Sequence, residues 1–197
     1  MADSLYLNLW FPKFREAEML PRVLCLLHHF PFSESRSGVG FVGVHGVSWS
    51  EPLLFQHTFD FRAQPEQAVQ LASEFLHSDN AYVFEVMWDL WTPGQTYDSW
   101  FKQPHPVMFI VHGADFEEGT SGENGHIQVD LGLDTPFLYG DMELTEIGEQ
   151  RIKENIQKLV TFTADVEKHC YVSSRLLWSE SEENLAQKLI NRLQKVN

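Results

Sequence analysis

Leu5, Leu7, Leu9 and Phe11 alternate with Tyr6, Asn8 and Trp10, a period of two that predicts a strand with one apolar face. The spacing then changes. Met19, Leu20, Val23, Leu24 and Leu27 recur at three- and four-residue intervals, the stripe of an amphipathic helix. Pro21 fits a helix best in its first turn, where its missing amide costs nothing, so the helix is expected to begin near Glu18. His28 and His29 fall at its end, where imidazoles suit the dipole, and a capping role is expected of them.

Residues 39–49 and 51–61 read as two strands with Glu51-Pro52 at the bend. Pro65 opens a second helix with the stripe Ala68, Val69, Ala72, Phe75 and Leu76, and a strand over 82–91 aligns Tyr82, Phe84, Val86, Trp88 and Leu90. The order so far, β-α-β-β-α-β, is that of a ferredoxin-like half. An analogy of order carries no function.

Thr92 to Pro106 is rich in proline and aromatics and reads as an irregular loop. Strands are predicted over 107–112 and 126–133, joined by the glycine- and acid-rich stretch Glu117 to Gly125. A long helix over about 145–168 buries Ile152, Ile156, Leu159, Val160 and Val166. A short strand over 175–178 leads to a last helix, with Ser179 and Glu182 at capping-box spacing and the stripe Leu185, Leu189, Ile190, Leu193 and Val196. The expectation is one α+β domain over 1–197. Its sheet is mostly antiparallel with helices on one face, the first half being extended by a β-hairpin and a β-α unit.

No apolar run reaches the roughly 18–20 residues of a membrane-spanning helix. Met1 to Ser4 lack the basic and apolar start of an export signal, and a cytoplasmic location is expected. Cys25 lies in the run Val23 to Leu27 and reads as a small buried hydrophobe. Cys170 is distant, with no zinc-ligand spacing to it, and a reducing compartment fits both.

Charge changes the picture more. Residues 63–150 hold sixteen Asp and Glu and one basic residue, Lys102, whereas the rest of the chain is nearly balanced, with thirteen basic and twelve acidic residues. A field of that sign repels nucleic acid and anionic membrane, and favours a basic protein, a small cationic ligand or a divalent metal. It also keeps a protein soluble, whatever its function.

Three letter patterns fail on context. Gly38-Val39-Gly40-Phe41-Val42-Gly43 lacks the strand before and helix after that bring a phosphate to a helix N-terminus. Gly46-Val47-Ser48-Trp49-Ser50 lacks the last glycine and the strand-turn-helix of a nucleophile elbow. Asp115 to Thr120 starts like a calcium loop, but His126 stands where the closing glutamate belongs.

The candidate chemistry is spread over strands. His126, Gln128 and Asp130 share one face of the strand over 126–133. Glu85 and Asp89 lie opposite the apolar row of 82–91, His112 ends the strand between, and His45 comes from 39–49. Neighbouring strands would gather these imidazoles and carboxylates on a sheet face without helices, with Asn8 and Trp10 beside them. Such a set suits acid–base or metal-assisted hydrolysis, although any wet sheet face carries polar residues. Trp91, Tyr97, Trp100, Glu117 and Glu118 are candidates for partner contact. Two functions follow as expectations. One is a non-catalytic domain that binds a cationic partner through the acidic region. The other is a small metal-dependent or acid–base enzyme built on His45, Glu85, Asp89, His112, His126 and Asp130.

Overall fold

The computed structural model describes residues 3–94, 99–139, 144–180 and 185–194. Among these, strands β1 (Ser4–Trp10), β2 (Val39–Gly46), β3 (Leu53–Ala63), β4 (Asn80–Pro93), β5 (Trp100–His112), β6 (Ile127–Leu133) and β7 (Ser174–Ser179) join in one sheet, ordered β3-β2-β4-β5-β6-β1-β7. Every pairing is antiparallel. The linear order β-α-β-β-α-β is present as expected, with helix α1 (Glu16–His29) after β1 and α2 (Pro65–Ser73) after β3. In the sheet, β1 lies between β6 and β7, so α1 carries the chain across to β2.

The period-two pattern sets which face is covered. Leu5, Leu7, Leu9, Tyr82, Phe84, Val86, Trp88, Val107, Phe109, Val111, Ile127 and Val129 are fully buried. They form one cluster with Met19, Val23 and Leu27 of α1, Ala68 and Ala72 of α2, and Ile152, Ile156, Leu159 and Phe162 of α5 (Glu146–His169). Short α3 (Thr120–Glu123) and α4 (Thr135–Leu138) interrupt the loops, and α6 (Leu185–Gln194) adds Leu185 and Leu189 to the core.

Several expectations are corrected. The stretch 92–106 is not an irregular loop: β4 and β5 pair without a break from Ala81↔His112 to Pro93↔Trp100. Its prolines fit because Pro104 and Pro106 stand opposite Asp89 and Met87 near the part of β5 that β6 does not cover, where a missing amide leaves no ladder bond unmade. Helix α1 begins at Glu16, ahead of Glu18, so exposed Pro21 lies inside the helix. His28 and His29 do not cap it: His28 Nε2 pairs with Glu66 Oε1 of α2 at 2.7 Å, and the His29 ring stacks on His169. Ser179 ends β7 and its hydroxyl donates to Asp134 Oδ2 at 3.2 Å, so it is not a helix cap, and Glu182 lies outside the described residues.

The cysteines are corrected too. Cys25 is half-buried and bonded to Cys170, a disulfide with the two Cα atoms 5.8 Å apart across a separation of 145 residues. No helix among the described residues is long and apolar enough to cross a membrane.

Candidate functional site

The histidines expected on the open face are each held by their own surroundings. His112 is 1% exposed, and its Nδ1–H donates to the Gly125 carbonyl at 2.9 Å, since a carbonyl can only accept. His126 Nδ1 accepts the Phe11 amide at 2.9 Å, and its ring lies 4.4 Å from that of Phe14, nearly parallel. His45 sits edge-on to Trp49, which also meets His112 and Phe116. Burial lowers the pKa of all three below the usual imidazole value of 6.5, favouring the neutral ring.

The carboxylates are similarly employed. Asp89 Oδ2 accepts the Glu34 amide at 2.9 Å, and Asp130 Oδ1 accepts the Gly132 amide at 2.9 Å. Glu85 faces Arg62 at 3.7 Å in a polar hollow that also includes Arg36, Asp60 and Thr58. Gln128 donates to Asn8 Oδ1 at 3.1 Å, and both are buried. The register does align Glu85, Met108, Asp130 and Tyr6 in one row across the open face. Among the described residues, however, the group of His, Cys, Asp or Glu side chains close enough to share one ion is Cys25, His29 and Cys170, elsewhere in the molecule.

Trp91 and Trp100 are half-buried and engaged within the chain. Trp91 Nε1 donates to Glu154 Oε2 at 2.6 Å, the Arg151 guanidinium lies 3.9 Å from the ring centre, and Trp100 packs edge-on to Tyr139. Tyr97 lies outside the described residues.

A groove of about 780 Å³ opens instead at one end of the sheet, between the β2–β3 turn and the α2–β4 connection. Its apolar lining comes from Val47, Pro52, Leu53, Leu54, Phe75 and Leu76, and its charged lining from Glu51, Glu74 and Asp79. Val47 is 59% exposed and Leu54 57%. Leu54 folds over Gly46, where an added Cβ would come within 2.8 Å of its Cδ1. Leu54 therefore packs over Gly46 and presents the rest of its side chain to the groove.

Three connections are laced together there. The Val47 amide donates to the Asp79 carbonyl and the Glu117 amide to the Val47 carbonyl, each at 2.8 Å. Asp115 donates its amide to the Ser78 carbonyl at 2.9 Å and accepts the Ser78 hydroxyl at 2.6 Å. Gly113 fits because an added Cβ would stand 2.1 Å from the Ser78 carbonyl oxygen. Segments 46–54, 73–80 and 113–119 thereby meet, and they carry six Asp and Glu with no Lys or Arg. Glu117 and Glu118, expected as partner contacts, belong to this end.

Val47 is also strained. Its φ is 64°, a left-handed conformation that a β-branched residue adopts at a cost of about 1–3 kcal/mol. The groove residues were not singled out from sequence, yet a signal exists: Leu53, Leu54 and Phe55 break the alternation, so one of them must face outward.

The chain matches no protein-family model, no curated protein and no solved structure.

Proposed function

We propose that the protein is a binding domain that seats a cationic segment of another protein, one that also carries apolar side chains, in the groove lined by Val47, Leu53 and Leu54. The observation that carries this reading is the exposed aliphatic floor inside a rim of carboxylates, with no Lys or Arg in the segments that build it. Exposed apolar surface gathered in a concavity marks a binding site more often than scattered surface leucines do. The carboxylates steer a basic partner to the groove and disfavour acidic competitors, while the aliphatic floor supplies most of the affinity. The same field works against nucleic acid.

The test is a panel of peptides of equal length, either basic and apolar, basic and polar, or acidic and apolar, titrated against the full chain at low salt. The basic apolar set should bind at least about tenfold more tightly than the other two, a gap of about 1.4 kcal/mol. Glu74→Lys combined with Asp79→Lys should remove the charge preference, and Leu54→Asp should weaken binding while leaving it. Equal binding of all three sets would end this reading. Tight binding of small organic cations alone would show that no protein segment is needed.

A further inference from the structure

At the far end of α1 a different chemistry is assembled. Cys25 and His29 are one helical turn apart on α1 and so share a face, and His169 and Cys170 close α5. The ligand atoms of Cys25, His29 and Cys170 all lie within 4.8 Å of one another. The rings of His29 and His169 are stacked, with centroids 4.8 Å apart. Cys170 is fully buried, whereas Cys25 and His29 are half-buried and His169 is exposed, so the cluster has a dry side and a side open to solvent. Two soft sulfurs and one imidazole are a donor set that suits zinc.

We propose that this cluster is a redox-gated zinc site: with the disulfide reduced, Cys25, Cys170 and His29 bind a zinc ion whose fourth position is left to water, and oxidation expels it. Tetrahedral zinc with Zn–S near 2.3 Å holds its two sulfurs about 3.8 Å apart. The Cα separation of 5.8 Å accommodates both this spacing and the disulfide, so side-chain rotation can interconvert them. Reduction takes two electrons and two protons from a dithiol, which becomes a disulfide while the protein gains two thiols. Zinc then displaces the two thiol protons to solvent. In the reverse direction the two thiolates give two electrons to a peroxide, the sulfurs join, two protons complete two waters, and the zinc dication leaves. In a reducing compartment the metal-bound form is the resting one, and an oxidant releases the ion.

The experiment uses the full chain, reduced with a phosphine and freed of reductant under argon, against the same chain left oxidised. Cobalt(II) serves as a coloured probe and a chromogenic zinc chelator as competitor. The reduced chain should take up about one equivalent, with thiolate-to-cobalt charge-transfer bands and the ligand-field bands of a tetrahedral ion. The oxidised chain should show neither, and peroxide should release the metal in step with the loss of free thiols. His29→Ala should weaken binding about tenfold or more, and an unchanged urea midpoint of the oxidised variant checks that it still folds. Cys25→Ser should abolish the charge-transfer bands. If that variant fails to fold, the comparison of reduced and oxidised wild type still decides. Equal metal uptake by the two wild-type forms, or an unchanged cobalt spectrum in His29→Ala, overturns the proposal.

Discussion

The backbone amide of Glu117 donates to the carbonyl of Val47 across 2.8 Å, fastening the acid-rich β5–β6 connection to a β-branched residue held at positive φ. The Val47 amide is engaged as well, by Asp79. Two hydrogen bonds from separate loops therefore hold a conformation that the valine side chain resists, and they keep an exposed aliphatic group beside carboxylates.

Val47→Gly should raise stability by about 1 kcal/mol. Glycine enters the left-handed region without steric cost, and the gain outweighs its greater freedom in the unfolded chain. The exposed valine gives up little buried surface. Urea denaturation followed by circular dichroism measures the change. A loss of stability would show that the Val47 side chain contributes more through contact than it loses through strain.

Acidification should destabilise the fold before the carboxylates titrate. His112, His126, His105 and His45 all have a pKa lowered from 6.5 by burial. Below pH 6.5 the unfolded chain accepts protons that the folded chain refuses. Stability is thus complete above about pH 6.5 and declines as pH falls from there through the lowered values. Urea midpoints at a series of pH values between 5 and 8 test this. His112→Gln, which keeps a donor for Gly125, should flatten the slope; an unchanged slope would remove His112 from the account.

Asn155→Ala should cost about 3 kcal/mol. This side chain is 2% exposed, accepts the Trp91 amide at 2.8 Å, and donates to the carbonyls of Trp91 and Pro136 at 2.9 Å each. Truncation strands one buried and two partly buried backbone groups. Hydrogen exchange should quicken at Trp91 in particular, where α5 holds the β4–β5 hairpin.

Reducing the Cys25–Cys170 bond in the presence of a metal chelator should lower stability by about 4 kcal/mol, as expected for a bond that closes a long loop. A shift of the urea midpoint on reduction measures it. No shift would mean that α1 and α5 remain docked through Val23, Phe162 and their neighbours alone.

Where one face of a strand is apolar, the sequence pattern carried the fold well. The alternations in β1 and β6 place Asn8 and Gln128 on the face away from the apolar row, whereas their pairing follows only from β1 lying beside β6. The β4–β5 hairpin beyond Leu90 was hidden, because prolines and glycine mimic a loop where a strand lacks a full set of neighbours. The disulfide was not legible either, since only the tertiary fold brings residues 145 positions apart together. Residue types alone named His45, His112 and His126 as chemistry. Their partners, a backbone carbonyl, a backbone amide and aromatic rings, lie in elements whose position no local pattern reveals. The acidic stretch was legible as composition, but its concentration around Leu54 depends on three loops meeting.

The groove itself is tested most directly by nuclear magnetic resonance. A short peptide of lysine and leucine is titrated into isotope-labelled protein, and backbone amide shifts are followed at low and at moderate salt. The account predicts saturable shifts clustered at Gly46 to Leu54, Glu74 to Asn80 and Asp115 to Glu118, weakened by salt and absent at the open face around Met108 and Leu176. Shifts confined to that open face, or spread evenly over the acidic surface without saturation, would contradict it.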